Sequence, residues 1–284
     1  MKKIKTVESF IQCFFDENIE HLKLNYPGIN PNKLIDVYCQ FFSTSAQEAM
    51  TLDERNSFFM RIREGEPLEY ILEEKFFFNS PFYVNPDVLI PRNETEILVE
   101  KSLELISKKG WKSFADIGVG SGCISLSLLT ESIKPLKGVA VDIDENALEV
   151  CEINRRRLKS KMPQSSSLKL LLGDRLDPLK ESVDFIVTNP PYIDDDLGKE
   201  GVHHQTDTYE PKLALYLPAE SYELWFEKFF RDSFEKINDG GALLMEGHED
   251  KLERLREMAL TVFGSAEIIQ DYTGANRFLF AYKD

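Results

Sequence analysis

Asp116-Ile117-Gly118-Val119-Gly120-Ser121-Gly122 is the stretch whose reading decides the fold. The apolar run Ser113–Ile117 precedes it and an apolar run with helical spacing follows, so a strand enters a glycine turn that opens a helix. Downstream, strands are predicted at Gly138–Asp142, Leu168–Leu172, Val183–Thr188, Ala242–Glu246, Ala266–Tyr272 and Arg277–Tyr282, separated mostly by helical stretches. Such alternation builds an α/β fold, a sheet largely parallel with helices on both faces, and ligands meet that sheet at the carboxyl ends of its strands. Thr273-Gly274-Ala275-Asn276 is too short for a parallel crossover, so the last strand should pair antiparallel. Upstream, a helix runs from about Asn93 to Lys109, closed by Gly110.

Further upstream the pattern changes. Phe76-Phe77-Phe78, Asn79-Ser80-Pro81 and Phe82-Tyr83-Val84 read as two short strands around a turn. The first ~75 residues carry helical stripes, Val7, Phe10, Ile11, Phe14 and Phe15, then Leu34, Val37, Tyr38, Phe41 and Phe42. Thr51 with Glu54 forms a capping box for a third helix, and Gly65 stops it before Pro67 starts another. The predicted division is therefore a helical domain over 1–75, a hairpin linker over 76–91 and an α/β domain over 92–284.

The chain has 284 residues, 42% of them hydrophobic, and a formal charge of −15. No apolar run approaches the ~18–20 residues of a membrane helix. Met1-Lys2-Lys3 opens no secretory signal, so a cytoplasmic protein is expected. The net acidity argues against a general nucleic-acid binder and for protein or small-molecule acceptors. Cys13, Cys39, Cys123 and Cys151 lie far apart without metal-ligand spacing, and buried reduced thiols are expected. His203, His204 and His248 read as solvated loop residues.

The glycine turn lets a ligand approach backbone amides at a helix start, where the dipole favours negative charge. Asp142 ends the second strand, placed to accept from both hydroxyls of a ribose, and Asp142 or Asp144 caps the helix beginning at Glu145. Asp174, after Gly173, is placed to accept from an adenine amino group. The glycines do not follow the Gly-x-Gly-x-x-Gly spacing that wraps a dinucleotide pyrophosphate, and Asp116 stands where a cationic ammonium, or water bound to it, is met. This favours S-adenosylmethionine over a nicotinamide dinucleotide.

Val183–Thr188 ends in Asn189-Pro190-Pro191-Tyr192, at the same sheet edge. Two prolines give a stiff turn rich in carbonyl acceptors and poor in donors. A planar NH2 group offers two donors in one plane, which the Asn189 side-chain oxygen and the Pro190 carbonyl can accept, with Tyr192 on its flat face. This geometry alone does not choose between an amide and an adenine amino group.

The chain resembles the HemK/PrmC protein-glutamine methyltransferases along most of its length. The resemblance rests on Val88-Leu89-Ile90-Pro91-Arg92-Asn93-Glu94-Thr95-Glu96, the Asp116–Gly122 loop, Asn189–Tyr192, Tyr209-Glu210-Pro211 and Gly274-Ala275-Asn276-Arg277. It implies a Rossmann-like S-adenosylmethionine-dependent methyltransferase with a seven-stranded sheet, a hairpin linker and an N-terminal bundle that holds the substrate protein. The implied acceptor is the glutamine of the Gly-Gly-Gln motif in class 1 peptide-chain release factors, with no direct nucleic-acid contact and no membrane; a monomer is expected. It also implies that Asp116, Gly118, Val119, Gly120, Ser121, Gly122, Asp142, Asp174, Arg175 and Asn189 surround the donor. Asn189, Pro190, Pro191 and Tyr192 would bind the glutamine, with Asn189, Pro190 and Tyr192 doing the catalytic work. An adenine-amino methyltransferase and an inactive release-factor binder are the alternatives. The chain departs from the family pattern at Asn93, where proline is usual and an asparagine cap would compensate, at Leu217-Pro218-Ala219-Glu220-Ser221, and at Glu246-Gly247-His248.

Overall fold

The computed structural model describes residues 6–46, 56–194 and 202–284. The expected Thr51–Glu54 capping box lies outside these residues. The described residues form two compact units: one from the first 74 residues with Val202–Tyr209, the other from Lys75 to Asp194 and Glu210 to Asp284.

In the first unit, helices Val7–Glu17, Ile19–Asn25, Pro31–Phe42, Asn56–Glu64 and Leu68–Leu72 bury their apolar stripes against one another. Tyr38 and Phe58 are fully covered and meet edge to face, while Phe41, on the same predicted stripe, remains exposed. Gly65 follows Asn56–Glu64 in the left-handed conformation, so the helix stops where the sequence places the stop. Helix His204–Tyr209 joins this unit, and the sequence-based boundaries did not include it. The amide of Gln205 donates to the Gly65 carbonyl at 2.7 Å and the Tyr209 hydroxyl to that of Glu64 at 2.7 Å. These side chains satisfy carbonyls that the end of a helix leaves without partners. His204 is thus helical rather than a loop residue.

The second unit opens with an antiparallel hairpin, β1 (Lys75–Phe77) and β2 (Ser80–Phe82), turning at Phe78-Asn79. The strands have the predicted length of three residues but begin one and two residues earlier, because the turn takes two residues rather than three. The hairpin packs within this unit: buried Asn154 accepts from the Tyr83 amide at 2.7 Å and donates to the Tyr83 and Ser121 carbonyls at 2.9 Å each. Three backbone groups therefore depend on one side chain, which also steadies the glycine turn.

Strands β3 (Ser113–Ile117), β4 (Lys137–Asp142), β5 (Ser167–Leu172) and β6 (Val183–Thr188) are parallel neighbours in the main sheet. Two-residue strands β7 (Ile193–Asp194) and β8 (Tyr216–Leu217) pair with each other. Then β9 (Ile237–Glu246), β10 (Ser265–Gln270) and β11 (Asn276–Tyr282) complete a seven-stranded sheet in the order β10-β11-β9-β6-β3-β4-β5. As expected, β11 is antiparallel to both its neighbours. Separate apolar clusters cover the two faces, one around Phe114, Phe185 and Leu128, the other around Phe229, Phe230 and Leu243. Burying each such side chain contributes about 1.5–3 kcal/mol, which anchors the central strands and fixes their carboxyl ends in space. The lead-in helix spans Thr95–Lys109; Glu94 is its N-cap and makes no side-chain cap bond, so the compensating asparagine cap at Asn93 is not formed.

Among the described residues no helix is long and apolar enough to cross a membrane. Cys151 alone of the four cysteines is buried; Cys13, Cys39 and Cys123 are half-buried, a correction to the expectation for all four.

Candidate active site

β3, β4, β5 and β6 end beside a cavity of about 270 Å³ whose wall lies wholly within the second unit. Gly118, Val119, Gly120 and Ser121 form its floor, Asp142, Ile143 and Asp144 one side, Gly173, Asp174 and Arg175 another, and Asn189, Pro190 and Pro191 face them. The predicted residues are thus brought together because four parallel strands end at one edge, each followed by a turn.

Within the floor, the amides of Gly118 and Val119 both donate to the Val141 carbonyl, locking the turn to β4. Gly120 has φ +51, and a Cβ there would meet no protein atom within 4 Å, so a side chain would occupy the cavity itself. The Asp142 carboxylate accepts from the Gly120 amide at 2.9 Å and the Asp144 amide at 3.1 Å. A carboxylate has about four acceptor directions. Acceptor directions remain for a diol. Burial pushes its pKa above the ordinary value, against the backbone amides of Gly120, Asp144 and Ile143, which lower it. Asp144 caps the next helix by accepting from the Asn146 amide at 2.9 Å, so the two acids divide the roles as the sequence allowed.

Four placements differ from expectation. Asp116 does not line the cavity: it is 1% exposed, its carboxylate accepts from the Ser125 amide at 3.1 Å and from the Ser125 hydroxyl, and it ties β3 to the helix beyond the turn. Burial raises its pKa to about 7. Gly122 is likewise off the wall and serves the turn, at φ +80, where a Cβ would stand 2.7 Å from the Cys151 sulfur. Asp174 does line the cavity, but its carboxylate is paired with the Arg175 guanidinium at 2.6 Å, and that guanidinium lies 5.4 Å from the Trp225 ring. Tyr192 stands outside the wall, with its hydroxyl 3.5 Å from Glu246 and its pKa raised by burial.

Residues the motif reading did not single out complete the site. The Thr95 hydroxyl donates to Glu246 at 2.6 Å, and the Asn189 amide nitrogen donates to Thr95 at 3.3 Å. Glu246 is 1% exposed, and burial raises its pKa to about 7 against Thr95 and Arg277, which lower it. Arg92 pairs at 2.5 Å with buried Glu210, which also accepts from the Ile90 amide at 3.0 Å, so the Pro-Arg-x-Glu-Thr-Glu and Tyr-Glu-Pro motifs lock together behind the cavity wall. Thr95 and Glu246 had a sequence signal, since both lie in quoted motifs; Trp225, on an amphipathic helix, had none. The unusual stretch 217–221 contributes Leu217 and Pro218 to the wall, so it bears on the cavity. His248 lies beside Tyr192, ring centres 6.4 Å apart.

The model of the Methyltransferase small domain family matches residues 94–206. The Release factor glutamine methyltransferase of Bacillus subtilis (strain 168) is 30% identical, covering 94% of this chain and 91% of its own. That of Fusobacterium nucleatum subsp. nucleatum is also 30% identical, over 95% of this chain and 78% of its own. The chain belongs to the release factor glutamine methyltransferase family. Membership in this family makes it an S-adenosylmethionine-dependent methyltransferase. The T. thermophilus 16S rRNA N2 G1207 methyltransferase, solved with AdoMet and guanosine, superposes with a TM-score of 0.53 at 17% identity, covering 74% of this chain and 50% of its own, and shows the fold.

The cavity fits the family's donor. A diol finds the free acceptor directions of Asp142, an apolar ring face finds Ile143, 53% exposed, and the side-chain-free floor at Gly120 leaves room for an amino-acid tail.

Proposed function

We propose that this chain transfers the methyl group of S-adenosylmethionine to the side-chain amide nitrogen of the glutamine in the Gly-Gly-Gln motif of class 1 peptide-chain release factors. It acts as a cytosolic monomer without direct nucleic-acid contact, and the bundle over residues 1–75 holds the substrate protein. The observation that carries the reading is Asn189 on the cavity wall with its amide nitrogen engaged by Thr95, which leaves its oxygen to accept from an acceptor NH2.

The bound donor supplies an electrophilic methyl group on a sulfonium; the N–C bond forms as the S–C bond breaks, and the nitrogen releases one proton. Asn189 and the Pro190 carbonyl hold the planar NH2, drawing its protons into their plane and turning the nitrogen lone pair toward the methyl. Pro191 keeps the turn stiff. Fixing reactants at near-attack distance contributes about 7–11 kcal/mol toward the barrier. No strong base is required, because the alkylated amide nitrogen is acidic and gives its proton to the adjacent oxygens or to water.

Incubation with labelled donor and release factor should label one glutamine, identified by mass spectrometry. Label that persists after that glutamine is replaced by alanine, or that appears on adenine in nucleic acid, would overturn the assignment. Label on nothing would leave an inactive binder.

A further inference from the structure

We infer that Thr95 and Glu246 are positioning residues that fix which end of the Asn189 amide faces the acceptor, so that the ionised Glu246 carboxylate selects the methyl-accepting arrangement. This rests on the proposed glutamine transfer and goes beyond it in naming how the acceptor-binding side chain is oriented. An ionised carboxylate only accepts, so the single Thr95 hydroxyl proton is committed to Glu246 Oε2, 2.6 Å away. Thr95 Oγ1 then has only lone pairs to offer Asn189, 3.3 Å away, and Asn189 must present its NH2 to Thr95 and its oxygen to the cavity.

Protonation reverses the chain of commitments. Neutral Glu246 donates to Thr95, the Thr95 proton becomes free to point at Asn189, and the amide flips to bring its oxygen to Thr95. Its NH2 then faces the acceptor NH2, two donors with nothing to share. The groups facing Glu246 are Thr95 and Glu94 from the lead-in helix, Tyr192 from the turn after β6, Arg277 from β11, and Cys123 from the helix after the glycine turn. His248 follows it in chain and lies beside Tyr192. Arg277 favours the ionised form, whereas burial and Glu94 favour the neutral one, and the balance near pH 7 puts the two arrangements within reach of each other.

Two measurements test this with the full chain. First, Thr95→Val, Thr95→Ser and Glu246→Gln are assayed for transfer to release factor alongside calorimetric donor affinity. Thr95→Val should lower kcat at least about tenfold, the scale of one lost orienting hydrogen bond, with donor Kd changed less than about threefold. Thr95→Ser should restore most of kcat, and Glu246→Gln should abolish the acidic limb of the kcat–pH profile. Wild-type kcat in Thr95→Val, or Thr95→Ser as slow as Thr95→Val, would overturn the inference while leaving glutamine transfer intact. Second, the Asn189 side-chain amide resonances of asparagine-labelled protein, assigned by their loss in Asn189→Asp, need no acceptor. They should shift with a midpoint near pH 7 in the wild type and not in Glu246→Gln. A pH-independent Asn189 signal in the wild type refutes the switch, whatever the acceptor proves to be.

Discussion

Asn189 stands on the cavity wall just after β6 with its amide nitrogen donating to Thr95, which leaves its oxygen for the proposed acceptor. Replacing Asn189 with alanine should therefore leave donor affinity within about tenfold while transfer collapses, because orientation contributes to the barrier and not to ground-state binding. Unchanged transfer would remove it from the acceptor site. Asp142 is the converse case. Its hydrogen bonds from the Gly120 and Asp144 amides hold the floor, and its remaining lone pairs are left for the diol of the proposed donor. For Asp142→Ala, calorimetry should show donor binding weaker by about 1–3 kcal/mol, as hydroxyl partners are lost and the Gly120 amide is freed; full affinity in the variant would contradict the diol assignment. The placement of both residues at the cavity was legible in the sequence, because Asp142 ends one apolar strand and Asn189 directly follows another. Asp116 was legible as important but not in its role: a carboxylate one residue before a glycine turn can face outward or inward, and only the packing of Ser125 over it turns it inward.

At the scale of elements, the strands of the central sheet matched their predicted ranges to within a residue or two, except β9, which begins at Ile237 rather than Ala242. Strands buried on both faces are continuous apolar runs. The early part of β9, Asn238 to Gly240, is exposed and polar and lies where the register with β6 shifts between Ile237 and Ala242, so no apolar run marks it. β7 and β8 are two residues each and pair across more than twenty residues of chain, beyond the reach of any periodicity. The segment from Asp87 to Arg92 has no regular structure, yet it forms cavity wall because Glu210 accepts from Ile90 and pairs with Arg92. Glu210→Ala should cost about 1–3 kcal/mol in denaturant unfolding, since a buried amide and a guanidinium lose their acceptor together. The same variant should weaken donor binding, and an unaltered unfolding midpoint would show that the strap is held by other contacts.

For the molecule as a whole, four carboxyls are buried in the second unit of a chain with formal charge −15: Asp116, Glu210, Glu246 and Asp271. Glu246 titrates at about 7 in the fold against an ordinary 4.5, so folding favours its neutral form. Its stabilising contribution is fully present below pH 4.5 and is lost as pH rises through 7. Glu246→Gln has no such loss, and its stability relative to wild type should rise between pH 4.5 and 8 by up to roughly 3 kcal/mol. Denaturant unfolding at a series of pH values measures this difference, and a pH-independent gap would mean that the carboxyl is not held neutral by the fold. What the sequence by itself determined is local: the alternation of strands and helices, the antiparallel last strand, the glycine turn with Asp142 beside it on the cavity wall, and the proline-stiffened Asn-Pro-Pro-Tyr turn. Each depends on residues within a few positions of one another, where spacing and side-chain chemistry suffice. Only the tertiary structure decided that Thr95 stands between Asn189 and Glu246, that Arg92 meets Glu210, that Trp225 closes the wall, and that Val202–Tyr209 belongs with the first unit. Those contacts join positions 94 to 151 residues apart; such pairs come together only when the sheet has ordered its strands, and no periodicity along the chain encodes them.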